Sequence, residues 1–401
     1  MSSVSIKRKE SIFICLIFVL NVISTVSEES RNCLNEPNIF SKTLLSLSSR
    51  LINEIDENDN FIISPLSISA ALGMIYIGAD GLTKTQISNA LHFNLLNPSD
   101  ILEGFRTLFS SLEKENDIIS LSLANSLFIQ RGYHISQIYK RKVLEYFEAE
   151  IIYVDFANEE QISMNTINQW ISNKTNSHMK KLLNEPLDPM TLMVLTNVIY
   201  FKGLWEHPFY ELWNSFFHKS NGTSKIVPFM KQEEYFGYFY DNELNYSFLE
   251  MDYMGGNISM LLILPKNMRE IPNFQLTSIC RIRSKLEMRR VMVGLPRFQL
   301  EYRRELSEDM RKFGMVKLFS DRADLTKIRE QNDLHVSLML HKVMIEVDNE
   351  GSRASAISGI GIDSRKRPTH EETFWANHPF LFYIIDKRTE TVLFAGRVTD
   401  P

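Results

Sequence analysis

The segment 190–201 does most to limit what this chain can fold into. It is apolar along most of its length, and its few polar residues carry no charge. A strand that faced water on one side would alternate polar and apolar residues, so a continuously apolar strand lies inside a sheet that is covered on both faces. The segment therefore predicts a central strand within a large, layered core.

The rest of the chain predicts helices in its first half and strands in its second half. The expected helices span residues 37–50, 68–77, 99–112 and 164–182. The expected strands span residues 120–129, 151–156, 291–300, 338–347, 380–386 and 391–398, with further β-type runs between 227 and 265. Segregated helices and strands favour an α+β fold over alternating βαβ units.

Composition and motifs exclude several function classes. The 401 residues are 44% hydrophobic and 23% charged, which is ordinary for a globular protein. The formal net charge of −5 disfavours a nucleic-acid-binding role, which needs concentrated positive charge. The sequence has no Gly-X-Ser-X-Gly, P-loop, HExxH or CxxC motif, and its nine histidines lack ligand spacing. We therefore expect neither an enzyme nor a bound metal or cofactor.

The N-terminus predicts export. A basic start at residues 7–9 precedes an apolar run over 11–23 and then small residues, which is the layout of a secretory signal peptide. The apolar run is shorter than the roughly 20 residues that a membrane span needs. We expect residues 1–27 to be removed and the protein to be secreted, extracellular and without a membrane partner. Cys33 and Cys280 then remain, either as a disulfide or as two unrelated thiols.

Four Asn-X-Ser/Thr sequons agree with a secreted glycoprotein. The candidate glycosylation sites are Asn173, Asn221, Asn245 and Asn257. Asn221 is the best of them because it lies in a polar turn, whereas Asn257 begins an apolar strand.

The segment 349–374 is unlike ordinary globular sequence. It separates two strong strands and has few large apolar residues, and a loop of this length inside a domain is usually functional. In an extended strand, one face would carry only small or apolar residues, namely Ser352, Ala354, Ala356, Ser358, Ile360 and Ile362. The other face would carry Arg353, Ser355, Ile357, Gly359, Gly361 and Asp363. The segment thus predicts a loop that can become a sheet strand; the alternative is a flexible loop whose alternation is accidental.

Basic residues follow this alternation. Arg365, Lys366 and Arg367 form an exposed target for trypsin-like proteases, whose specificity pocket is acidic, and Pro368 protects the bond after Arg367. The alternative is an incidental nick site in a loop. Two other basic stretches, 140–142 and 281–290, predict charged surface, with a sulfated polysaccharide or an acidic partner as the alternative.

Six motifs, in order over residues 37–401, resemble those of the serpin family. They are NFIISPLSISAAL at 60–72, GADGLT at 78–83, TNVIYFKGLWEHPF at 196–209, LPRF at 295–298, ADL at 323–325, and the C-terminal pair HPFLF at 378–382 and LFAGRV at 393–398. The resemblance implies one domain over 28–401, with helices around three β-sheets and an exposed reactive loop at about 349–374. It also implies a monomer.

The resemblance implies a mechanism as well. A serpin holds its loop in a metastable state; a protease cuts the loop and forms an acyl-enzyme, and the loop then inserts into the central sheet. The stretch Glu350, Gly351, Ser352, Arg353, Ala354, Ser355 and Ala356 resembles the loop hinge. The cut bond of inhibitory members follows the residue 14 positions after the hinge glycine, which is Arg365. We therefore expect Arg365–Lys366 as the reactive bond, with Lys366–Arg367 as the alternative, and a trypsin-like serine protease as partner.

Further positions take roles by the same resemblance. Ser64, Ser67, Asn197 and His341 map onto the polar cluster under the sheet opening, and Trp205 onto the region where the loop enters. The alternative is that these are ordinary buried polar groups that satisfy one another.

Asn349, Arg353 and Ile357 depart from the usual hinge. None of them is a proline, so the hinge is mostly intact and a suicide inhibitor is favoured. The second hypothesis is a non-inhibitory serpin that acts as a carrier, chaperone or storage protein.

Overall fold

A computed structural model describes residues 39–56, 58–113, 119–273, 275–350 and 372–401. The expected signal peptide, Cys33 and loop residues 351–371 lie outside these ranges.

The helices come mainly before residue 175. They are α1 (Ile39–Ile52), α2 (Pro65–Gly78), α3 (Gly81–Ala90), α4 (Pro98–Glu113), α5 (Gln137–Phe147), α6 (Glu160–Lys174), α7 (Ile279–Arg283) and α8 (Ser307–Lys312). Short 3₁₀ turns occupy Phe93–Leu95, Leu276–Ser278 and Lys317–Phe319. In the described part of the chain, no helix is both long enough and apolar enough to cross a membrane.

The strands form two hydrogen-bonded sheets. They are β1 (Phe61–Ile63), β2 (Ile119–Gln130), β3 (Glu150–Val154), β4 (Met193–Gly203), β5 (Glu211–His218), β6 (Ser224–Asp241), β7 (Tyr246–Asp252), β8 (Ile258–Pro265), β9 (Glu287–Pro296), β10 (Phe298–Glu305), β11 (Leu338–Val347), β12 (Glu372–Trp375), β13 (Phe380–Asp386) and β14 (Thr391–Val398). The five-stranded sheet has the order β10-β11-β4-β2-β3. The nine-stranded sheet has the order β1-β14-β13-β8-β7-β6-β9-β12, and β5 pairs with β6.

The long strand β6 joins two parts of the nine-stranded sheet. It pairs with β5 over residues 224–231, with β9 over 229–238 and with β7 over 237–241. What the family resemblance treats as two sheets is therefore one hydrogen-bonded set here.

Helix α2 connects the two sheets. Ser64 caps its N-terminus by accepting a hydrogen bond from the Ser67 amide at 3.2 Å, and Pro65 occupies its first turn, where no amide donor is needed. Nearly all of its side chains are small or apolar and buried. The helix contacts β14 of one sheet and β2 and β4 of the other, so it lies in the core directly beneath the central strand.

Most expected elements are present, and the long apolar segment is indeed the central strand β4. The expected helix over 164–182 is wrong beyond Lys174, because Asn176 and Ser177 adopt left-handed backbone angles (φ 48° and 65°) that end the helix. The expected single strand over 291–300 is also wrong. It is divided between β9 and β10 in different sheets, and the Arg297 amide at the break donates to the Pro228 carbonyl at 2.8 Å.

Candidate functional site

The boundary between β4 and β11, here called the seam, lies at the centre of the five-stranded sheet. The two strands are parallel and pair from Val194–Leu338 to Lys202–Glu346. Their other neighbours, β2 and β10, are antiparallel to them. Parallel pairing is slightly less stable per residue, so the seam is the weaker contact among these four strands.

Polar side chains occupy the inner face of the seam. Asn125, Asn197 and His341 lie at one register position on β2, β4 and β11. Asn197 Oδ1 lies 2.5 Å from His341 Nδ1 and accepts a hydrogen bond from Ser67 Oγ at 2.7 Å. Asn197 Nδ2 donates to Asn125 Oδ1 at 2.5 Å. One amide therefore links three strands and the buried helix α2.

His341 is neutral in this cluster. Complete burial lowers the pKa of His341 to about 3, because a charged ring would lose its hydration. The surrounding groups fit the tautomer with the proton on Nδ1. That nitrogen donates to Asn197 Oδ1, and Nε2 accepts from the Ser64 amide at 3.4 Å. Protonation of Nε2 would place a second donor against that amide.

We call the end of the seam at which β4 and β11 both finish its upper end. Trp205, which follows β4, stabilises this end. Its indole Nε1 donates to the Asp348 carbonyl at 2.8 Å, and its backbone amide donates to the Glu350 carbonyl at 3.1 Å. The indole stacks on Tyr253 with ring centroids 4.5 Å apart. A Cβ at Gly203 would lie 2.5 Å from that tyrosine ring, so only glycine allows this approach.

A cation reinforces the same end. Lys202 Nζ lies 2.8 Å from Asp348 and 3.0 Å from Glu350. Burial works to lower the pKa of Lys202, but hydrogen bonds with the two carboxylates outweigh it and raise that pKa. The residues that follow β11 are therefore held to the end of β4 by hydrogen bonds from Trp205 and by ion pairs with Lys202.

Comparisons with known proteins identify the family of this chain. A family model described as serpin (serine protease inhibitor) matches residues 42–401. The chain belongs to the serpin family.

Relatives and solved structures cover most of this serpin. Neuroserpin of Gallus gallus is 34% identical over 382 residues, which are 91% of this chain and 92% of that protein. Intracellular coagulation inhibitor 2 of Tachypleus tridentatus is 33% identical over 364 residues, 89% of this chain and 88% of that protein. The structure of uncleaved ovalbumin superimposes with a TM-score of 0.81 at 27% identity, covering 90% of this chain and 100% of that one. The family is one of protease inhibitors rather than catalysts, and the fold is the serpin fold.

The four residues expected at the sheet opening lie together in this serpin, and Trp205 lies at the upper end of the seam. Of the expected hinge, Glu350 lies in the described structure. The hinge residues from Gly351 to Ala356, and the reactive-bond candidates Arg365, Lys366 and Arg367, lie outside it. Sequence reasoning missed Asn125. Its signal was a buried-type amide among the apolar residues and serines of β2, but only the β2–β4 register places it beside Asn197.

The sequons differ in exposure. Asn173, Asn221 and Asn245 are exposed, whereas Asn257 is half-buried. The sequon threonine of Asn173, Thr175, is fully buried. In the exposed turn at Asn221, Thr223 donates to the asparagine Oδ1 through both its amide and its hydroxyl.

The two basic stretches are structurally different. Residues 140–142 lie on α5, where Lys140 approaches the ring of Tyr153 at 5.0 Å. In the stretch 281–290, three arginines form intramolecular ion pairs: Arg283 with Glu250 and Glu390, Arg289 with Glu287, and Arg290 with Glu233. These pairs explain much of the second stretch without an external polyanion.

Within the described ranges, no group of three or more histidine, cysteine or acidic side chains could hold a metal ion.

Proposed function

We propose that this protein is a secreted suicide inhibitor of trypsin-like serine proteases. The protease attacks the bond Arg365–Lys366 and becomes an acyl-enzyme. The cut loop then enters the seam as an additional strand, carries the protease away from its starting position and distorts the protease active site.

The parallel pairing at the seam is the observation that carries this proposal. The chain leaves β11 at the upper end of the seam, so a loop that folds back into the seam runs antiparallel to β11. Because β4 and β11 are parallel, the same strand is antiparallel to β4 as well. Insertion exchanges one parallel pairing for two antiparallel ones, which lowers the free energy of the sheet.

The loop sequence suits this position. In an inserted strand, the face of 352–362 that would point into the core beneath the sheet carries small or apolar residues only. Its insertion therefore buries no charge. The opposite face carries Arg353, which remains at the surface. A buried unpaired charge would cost several kcal/mol or more, so this alternation favours insertion.

Secretion is supported by the layout of residues 1–27 and by the state of Cys280, which is disulfide-bonded. Disulfides persist in oxidising compartments and are rare in the cytosol. The relative from Tachypleus tridentatus is named an intracellular inhibitor, so the location of this serpin needs its own test. Expression of the full chain in cultured eukaryotic cells should place the protein in the medium, with a mobility shift after glycosidase treatment. Retention in the cytosol, without a shift, would contradict the proposed secretion.

The main test mixes the purified protein with trypsin near equimolar ratio, followed by a denaturing gel and mass spectrometry. We expect a covalent band near the summed masses and a released fragment that begins at Lys366. The variant Arg365→Ala should lose the covalent band, and the neighbouring control Lys366→Ala should keep it.

Other outcomes are equally informative. A fragment that begins at Arg367 would move the reactive bond by one residue. Cleavage with full trypsin activity retained would contradict inhibition of trypsin-like proteases and favour the carrier, chaperone or storage alternative. A rise in melting temperature after cleavage would show that the loop still inserts.

A further inference from the structure

The segment that follows α6 lies across the outer face of the seam. We call residues 175–183 the strap. Its apolar side chains share a hydrophobic cluster, separate from the main core, with residues of β4 and β11. The buried members from these three segments are Met179, Leu182, Leu183, Val194, Val198, Tyr200, Leu340 and Met344. The strap therefore covers both strands of the seam.

His178 connects the strap to both strands with one side chain. Its ring lies parallel to that of Tyr200 on β4, with centroids 4.0 Å apart and an interplanar angle of 14°. Its Nδ1 lies 3.7 Å from Oε1 of Glu346 on β11. Burial, together with the nearby Glu346 carboxylate, raises the pKa of Tyr200 to about 12, so the ring that His178 covers is a neutral phenol.

The hydrogen bonds of the strap hold it at one side only. Lys342 of β11 donates from Nζ to the Lys181 carbonyl. Asn168 of α6 accepts hydrogen bonds from the Leu182 and Leu183 amides at 2.8 and 2.9 Å. These contacts fix the strap to a single strand or to its own helix, and each can survive if β4 and β11 move apart.

The contacts of His178 cannot all survive that movement. Insertion of one strand would shift β11 away from β4 by about 4.8 Å, the spacing of neighbouring strands. A ring stacked at 4.0 Å on Tyr200 cannot then keep its 3.7 Å approach to Glu346. Every opening of the seam therefore breaks at least one contact of His178.

We propose that His178 is a positioning residue that latches the strap over the seam and controls how readily β4 and β11 separate. The inference rests on the proposed function, because strand separation has a purpose only if the loop enters. Loss of the latch should make the seam open more often without unfolding the rest of the protein.

Hydrogen–deuterium exchange of the full chain tests the latch without any protease. In His178→Ala, we expect amides of the strap, β4 and β11 to exchange about fivefold faster, a factor typical of one aromatic contact. His178→Phe keeps a stacking ring and His178→Lys places an amino group near Glu346, so each should restore part of the protection. His134→Ala, at an exposed histidine of the β2–α5 connection, is the matched control and should not change exchange.

Two results would overturn the latch. One is unchanged exchange at the seam in His178→Ala. The other is faster exchange that extends equally to β13 and β14, because a merely structural residue would weaken the whole fold.

Trypsin assays separate this inference from the proposed function. If the latch holds, His178→Ala should trap trypsin faster and leave less cleaved, unproductive serpin than the unaltered protein. Locally faster exchange with no covalent complex in any variant would retain the latch and reject the proposed inhibition. A normal covalent complex with unchanged exchange would retain the inhibition and reject the latch.

Discussion

The hairpin β13–β14 and the seam β4–β11 are both buried, but they are built differently. Every residue of β13 and β14 is buried, and the two strands are antiparallel neighbours in sequence. The seam is parallel and joins strands that are distant in sequence, with a polar cluster on one face and the strap on the other. The hairpin is stabilised by closely packed apolar side chains, whose contacts an incoming strand could not replace. One face of the seam is held by side-chain hydrogen bonds, which other partners can replace.

The difference shows which neighbouring strands of a β-sheet can separate and admit another strand. Phe382 in β13 leaves so little space that a Cβ at Gly396 would lie 2.3 Å from its ring. Such packing gives one arrangement, because any separation leaves a void. The seam instead presents amide, imidazole and hydroxyl groups that would meet the backbone of an incoming strand. We therefore expect substitutions in the hairpin to change global stability and substitutions at the seam to change local opening.

The largest expected effect comes from Phe382→Ala in the hairpin. Removal of a fully buried phenylalanine should lower the free energy of unfolding by about 3–5 kcal/mol, because it leaves a cavity in rigid surroundings. Urea denaturation measures this loss. Leu144→Ala, at a leucine that is 64% exposed, is the control and should change little. A loss below about 1 kcal/mol for Phe382→Ala would contradict the rigid packing that distinguishes the hairpin from the seam.

Asn197→Ala should have the next largest effect. It removes the acceptor of Ser67 and His341, and each buried group left without a partner costs about 1–3 kcal/mol. We expect the cost to appear mainly as faster amide exchange in β4 and β11, with β13 and β14 little changed. Asn242→Ala, in an exposed turn, is the matched control. Equal acceleration in both regions would show that the cluster supports the whole fold rather than the seam.

His341 at the seam should make its own contribution to the pH dependence of stability. His341 has a folded-state pKa of about 3 and an ordinary value of 6.5, so between these values the unfolded chain binds a proton that the folded chain excludes. This residue's contribution should fall as pH falls from 6.5 towards 3, by about 1.4 kcal/mol per pH unit, and stay constant above 6.5.

Urea denaturation at pH 7.5 and pH 5 measures this contribution. His341→Gln should lose about 2 kcal/mol less between the two values than the unaltered protein does. His134→Gln should behave like the unaltered protein. An identical pH response in His341→Gln would contradict a neutral, buried His341.

The smallest expected effect is at the upper end of the seam. Lys202→Met leaves the mostly buried Asp348 carboxylate without its cation, and the partial exposure of Lys202 limits the cost to about 1 kcal/mol. The change should appear as faster exchange at residues 347–350 and 204–206. Lys312→Met breaks an exposed pair with Glu54 and should have no measurable effect. If the two variants behave alike, Lys202 does not hold the seam.

Sequence patterns predicted the elements that are buried on all sides. The strand β4, the helix α2 and the hairpin β13–β14 follow from long apolar runs, because burial on all sides requires such runs wherever the neighbours lie. The end of α6 did not follow, because left-handed angles at Asn176 and Ser177 override a continuing helical pattern. The break at Arg297 was missed because the residues on both sides of it favour strands.

The candidate site was predictable only where motifs resembled a known family. Ser64, Ser67, Asn197, His341 and Trp205 were found in this way. Asn125 and His178 were not found. Asn125 reaches the site through the register of β2 with β4, and His178 through the position of the strap, and no local sequence pattern predicts either.

The sequence by itself determined which long segments are buried and to which family the chain is similar, and it predicts a loop with one small-residue face. These properties depend on residue types and their spacing along the chain. The tertiary structure alone decided that β4 and β11 are parallel neighbours, that an amide and an imidazole 144 positions apart share a hydrogen bond, and that the strap crosses both strands. Contacts between distant segments depend on how whole elements pack, and a local pattern is compatible with many packings.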